Sequence, residues 1–164
     1  MRKRIALVAL AGTVLAAAGC GSSSSSSRTT STAAPPAPST TPSTSAATVK
    51  AASYTVKMAG ANEVPKGAPN GSATAVITVK MSRQVCWKFT NLKNVTAPKV
   101  DHIHQGPAGA AGNIVIPLGT AYKASGCVSN VAPTLLSQIE SKPNGFYVNI
   151  HNVAYPQGAV RGQL

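Results

Sequence analysis

The chain has 164 residues, with 15 Lys and Arg against three Asp and Glu, a net charge of +12 and only 4% aromatic residues. That length accommodates one domain of ordinary size and little more. Three carboxylates leave no acidic cluster for calcium or two-metal phosphoryl transfer and no spare pair for glycoside hydrolysis, and the absence of G-x-G-x-x-G and G-x-x-x-x-G-K-[ST] removes nucleotide binding by those loops.

The first segment reads as an address. Arg2, Lys3 and Arg4 precede an apolar run from Ile5 to Ala18, which is too short to span a bilayer. The run ends in Ala17, Ala18 and Gly19, directly before Cys20. This arrangement resembles the lipobox of bacterial lipoproteins, with Ala17 where that pattern usually has Leu. The resemblance implies a signal peptide over residues 1–19 and acylation of the Cys20 sulfur. The mature chain would then be lipid-anchored on the extracytoplasmic face of the cell membrane. Two or three acyl chains hold stably where one holds only marginally. The alternative is an ordinary secretory signal that leaves a free thiol.

Residues 20–48 read as a tether. Six serines, Ser22 to Ser27, lead into Ser/Thr/Ala/Pro sequence with one charge, Arg28, and no aromatic residue. Such a segment buries too little apolar surface to offset its ordering entropy. At coil dimensions it spans about 25–35 Å, and Pro35, Pro36, Pro38 and Pro42 stiffen it locally. The same composition suits an O-glycosylated stalk.

From residue 49 to 164 the pattern changes to short runs of period two. Ser53–Met58, Ala73–Val79, Gln84–Thr90, Asn113–Leu118, Phe146–His151 and Ala159–Leu164 read as strands. Turn signals separate them: Asn70-Gly71, Gly106-Pro107, Gly109, Gly112, Asn144-Gly145 and Gly158. Only Ala132–Ser141 carries a helical pattern, with Leu135, Leu136 and Ile139 on one side. The expected fold is all-β: one Greek-key sandwich or barrel-like domain with one short helix.

With Cys20 assigned to the lipid, Cys86 and Cys127 remain. In an exported, oxidising setting this pair reads most simply as a disulfide closing a loop of about 40 residues. A redox or metal pair would ordinarily show C-x-x-C spacing, which is missing.

Three segments are distinctive together. The first is Ala59-Gly60-Ala61-Asn62-Glu63-Val64-Pro65, followed by Gly71-Ser72-Ala73. The second is Asp101-His102-Ile103-His104-Gln105-Gly106-Pro107, followed by Gly112-Asn113-Ile114-Val115-Ile116-Pro117-Leu118. The third is Gly145-Phe146-Tyr147-Val148-Asn149-Ile150-His151, followed by Tyr155-Pro156-Gln157-Gly158-Ala159-Val160-Arg161-Gly162-Gln163-Leu164. In this order the set resembles the CHRD domain, known from chordin and from exported bacterial proteins. The chain departs from the usual pattern at Lys66 and Ala159. The resemblance implies a β-sandwich-like fold and no established activity, and the growth-factor binding of chordin does not transfer with it.

All three histidines lie in these segments. His102 and His104 are two apart and share one side of a strand, while His151 ends another strand beside Asn149 and Tyr147. If the strands are neighbours, three imidazoles converge and could hold zinc or copper with an open fourth position. An H-x-H on a β domain also looks like part of the copper–zinc superoxide dismutase site, but the remaining ligands of that site are missing. Equally, the rings could simply pin the Gly-rich turns. Glu63, in a chain so poor in acids, is expected to pair with Arg161 or with backbone N–H groups, tying the first strand to the last. No nucleophile stands in a recognisable elbow, so no catalytic residue is assigned.

The basic balance favours anionic partners outside the cell, such as wall polymers or lipid head groups. Nucleic acid is not expected: stacking aromatics and a recognition helix are lacking, and the compartment is wrong. The leading expectation is a lipid-anchored envelope protein whose domain binds or builds without catalysing. The competing expectation is a copper- or zinc-binding envelope protein using His102, His104 and His151.

Overall fold

The computed structural model describes residues 50–164. The expected signal peptide, the lipidation site Cys20 and the tether lie outside the described residues. Among the described residues, no helix is long and apolar enough to cross a membrane.

Eight strands follow in order: β1 (Ala52–Ala59), β2 (Ser72–Lys80), β3 (Gln84–Lys93), β4 (Val100–Gln105), β5 (Asn113–Pro117), β6 (Ser125–Val128), β7 (Phe146–His151) and β8 (Val160–Gln163). Among the described residues there is one α-helix, α1 (Pro133–Ser141), between β6 and β7. All pairings are antiparallel and form a single curled sheet of order β5-β4-β7-β8-β1-β2-β3-β6. The all-β single domain with one short helix is as the sequence suggests. Of the sandwich or barrel-like forms expected, the chain takes a half-barrel, one sheet curling around its own core.

The period-two runs explain the core. On β2, Ala73, Ala75, Ile77 and Val79 are buried, and on β3 so are Val85, Trp87 and Phe89. On the other half of the sheet, Ile103 of β4 lies opposite Val148 of β7, and Ile150 of β7 opposite Val160 of β8. Leu136 and Ile139 of α1 add a fully buried edge to this cluster. Pro133 starts α1, where its missing N–H costs nothing.

Strand β6 is the one element without a period-two signal, being only four residues of Ser, Gly, Cys and Val. Its place is fixed from outside. Cys127 pairs in register with Cys86 of β3, and the two are disulfide-bonded. Gly126 lies against the Trp87 indole, where a Cβ would collide with the ring, and the indole Nε1 donates to the Lys123 carbonyl at 2.9 Å.

The bridge closes a loop of 41 residues in sequence. Replacing both cysteines by Ala is expected to lower stability by about 2–4 kcal/mol on the chain-entropy account, read by denaturant unfolding. Amide exchange should rise first in β6, which has β3 as its sole strand neighbour.

Candidate metal centre

Strand β7 decides the site, because all six of its residues are buried and each of its faces has a different task. Phe146, Val148 and Ile150 face the apolar core. Tyr147, Asn149 and His151 face the opposite side. In register, His104 of β4 lies opposite Tyr147, His102 opposite Asn149, and Arg161 of β8 opposite Asn149 from the other flank. One face of three adjacent strands is therefore polar and is roofed by the loops after β1, β4 and β7.

The roof is tied down by hydrogen bonds. Arg161, only 2% exposed, donates to the carbonyls of Ala110 and Pro107, both at 2.7 Å, and its guanidinium carbon lies 3.4 Å from the centre of the Tyr147 ring. Asn62 donates to the Arg161 carbonyl, and Gln163 donates to the carbonyls of Gly106, Asn144 and Phe146. The expected Glu63–Arg161 pair is thus a neighbourhood and not a direct ion pair. Arg161 spends its hydrogen bonds on loop carbonyls, and its charge attracts Glu63 only through space. Glu63 itself is wedged against Gly158, whose φ of +137° suits glycine and whose absent Cβ leaves room for the carboxylate.

The three histidines do converge. One nitrogen from each of His102, His104 and His151 lies within 4.8 Å of the others. His102 Nδ1 and His151 Nε2 are 3.1 Å apart, near the edge of about 3.3 Å that a tetrahedral zinc with 2.0–2.1 Å bonds requires. Closing the whole set therefore needs shifts of up to about 1.5 Å.

Backbone carbonyls set the tautomers. A carbonyl only accepts, so His104 Nδ1–H donates to Gly112 O at 2.9 Å and His151 Nδ1–H donates to Pro156 O at 3.0 Å. Each ring is left with a bare Nε2 lone pair. The Nε2 of His151 accepts from His102 Nδ1–H, a bond that ligation through these two atoms would replace by placing the His102 proton on its Nε2, and the Nε2 of His104 is buried without any hydrogen-bond partner. A ligand histidine held at its far nitrogen by a carbonyl is the usual supporting arrangement of a metal site. The His104 ring is also stacked on Tyr147, with centroids 4.6 Å apart, and the Tyr147 hydroxyl accepts from the Gly112 N–H. One loop position, Gly112, thus steadies both rings.

Burial keeps the imidazoles neutral, as ligation requires. It pushes His102 down to about 4, with His151 and His104 adding to the effect. It also lowers His104 and His151, outweighing the carbonyl bonds that favour their charged forms. The donor set, three neutral imidazoles without thiolate, suits zinc or copper.

Two carboxyls move the other way. Burial raises Glu63 to about 7 against the pull of Arg161, and it raises Asp101, on the core side of β4, to about 7. Asp101 is 1% exposed, and neither carboxylate oxygen has a partner. The signs oppose each other. Stability from neutral His102 is complete above its ordinary 6.5 and is lost as pH falls through about 4, and His104 and His151 act in the same direction. Stability from a protonated Asp101 is complete below its ordinary 3.8 and is lost as pH rises through about 7. Asp101→Asn is therefore expected to raise the melting temperature at pH 8, with the gain shrinking toward pH 5. A gain that stayed constant with pH would show that Asp101 does not titrate in this way.

The H-x-H spacing and the Tyr147-Asn149-His151 alternation carried the histidine cluster in the sequence. The carbonyls of Gly112 and Pro156 and the roofing role of Arg161 carried no such signal, because they depend on loop paths.

A family model described as the CHRD domain matches residues 54–164, more than half of the chain. No curated protein and no solved structure matches it significantly.

Proposed function

The chain belongs to the CHRD domain family, and from that premise we propose that it is a lipid-anchored envelope protein whose domain binds zinc or copper through His102, His104 and His151. The observation that carries the metal reading is that His104 and His151 each donate Nδ1–H to a backbone carbonyl and so turn Nε2 into the cluster, His104 Nε2 having no hydrogen-bond partner at all. Scaffolding histidines would be expected to leave no buried nitrogen unpartnered, and His104 Nε2 is unpartnered. The role is binding and not catalysis: the sequence offers no nucleophile elbow, and the polar face is roofed by its own loops. The anchor rests on the resemblance around Cys20, and the net charge, +9 once Arg2, Lys3 and Arg4 leave with the signal peptide, favours attraction to anionic lipid head groups or wall polymers nearby.

The test uses the full chain purified in detergent and stripped of metal. Titration with Zn²⁺ and Cu²⁺ by calorimetry is expected to give one ion per chain, with affinity falling at least about a hundredfold in His104→Ala and His151→Ala. Absence of uptake in the wild-type chain would leave the histidines as scaffolding and move the reading to wall-polymer binding. For the anchor, Cys20→Ser is expected to shift the protein from the membrane to the soluble fraction. Intact mass of the native chain should show the acyl additions on a mature form beginning at residue 20.

A further inference from the structure

We infer that Asn149 is a fourth metal ligand, its side-chain oxygen completing the set begun by His102, His104 and His151, and its amide donating to Glu63. The inference rests on the three-histidine reading and specifies the position which that reading leaves open.

Four buried atoms on the polar face lack hydrogen-bond partners: His104 Nε2, both amide atoms of Asn149, and Glu63 Oε1. Burying one amide without partners costs on the order of 1–3 kcal/mol in proteins, so four orphans on one face call for a common explanation. Asn149 is 1% exposed and lies at the centre of the face. It is directly opposite His102 in register and shares its strand face with His151, two residues on. Its amide lies beside both His104 and Glu63 and reaches neither with normal hydrogen-bond geometry.

A cation at the histidines resolves all four atoms at once. His104 Nε2 and Asn149 Oδ1 become ligands. The Asn149 N–H₂ then has one acceptor to serve, Glu63 Oε1. A buried dication beside Arg161 also needs negative charge nearby. Glu63, held against Gly158, supplies it through the amide without occupying a ligand position. A site closed by Asn149 has no place for a metal-bound water, which accords with a binding role.

Cobalt substitution of the full chain in detergent tests this, because Co²⁺ reports its coordination in the visible spectrum. A site closed by Asn149 is expected to give intense four-coordinate bands that do not change between pH 6 and 9. A metal-bound water would titrate within that range. Asn149→Ala is expected to weaken Zn²⁺ binding at least about tenfold and to introduce such a titration as solvent takes the vacated position. Asn149→Asp, which keeps the shape and an oxygen donor, is expected to retain the pH-invariant spectrum.

A wild-type spectrum that titrates as a metal-bound water would overturn the inference, and would do so without any variant having to fold. Unchanged affinity and spectrum in Asn149→Ala would overturn it too. In both cases the three-histidine site would stand, provided His104→Ala still abolishes uptake. If the wild-type chain takes up neither Co²⁺ nor Zn²⁺, the site and the inference fall together.

Discussion

The antiparallel pairing of β7 with β4 on one side and β8 on the other is the constraint from which the rest follows. A strand buried on both faces must satisfy two environments with one alternation of side chains. Here the two environments differ in kind. Phe146, Val148 and Ile150 join the apolar core, while Tyr147, Asn149 and His151 meet a polar layer under the loops. Because a slip of one residue would exchange the two sets, the register is tightly specified, and the register is what puts His102 and His104 beside their partners.

The loops over the polar layer are held by groups that serve two masters. Arg161 pins the loop after β4 through the Pro107 and Ala110 carbonyls and also lies over Tyr147. Tyr147 in turn stacks on His104 and accepts from Gly112, whose carbonyl orients the same histidine. The result is a layered stack of guanidinium, phenol and imidazole with its outer members fixed to one loop. Such an arrangement is costly to assemble from buried polar groups and is rigid once every member has a partner. The atoms still without partners are therefore the informative ones.

Much of the fold was legible because its strands alternate strictly. Ala73 to Val79 and Phe146 to His151 need no tertiary information to be read as strands. Strand β6 was not legible, since Ser125–Val128 has no alternation to show, and its pairing comes from the Cys86–Cys127 bridge and the Gly126–Trp87 contact. The joining of the two halves into a single sheet was likewise hidden, because it depends on β8 pairing with β1 at Ala59 and Arg161, residues about a hundred positions apart in the chain. For the site, the histidines were visible by spacing. The direct Glu63–Arg161 pair was expected from the scarcity of acids, but charge complementarity says nothing about which loop carbonyls reach a guanidinium first. Asn149 was in view only as a neighbour on the strand.

The meeting of β1 with β8 has a topological outcome. The first and last strands of the domain are adjacent and antiparallel at the middle of the sheet. The start of β1 and the end of β8 consequently emerge at the same end of these two strands. A segment joined before residue 52 and a segment joined after residue 164 would suspend the domain from one side. Fusion at either terminus would leave it in the same orientation.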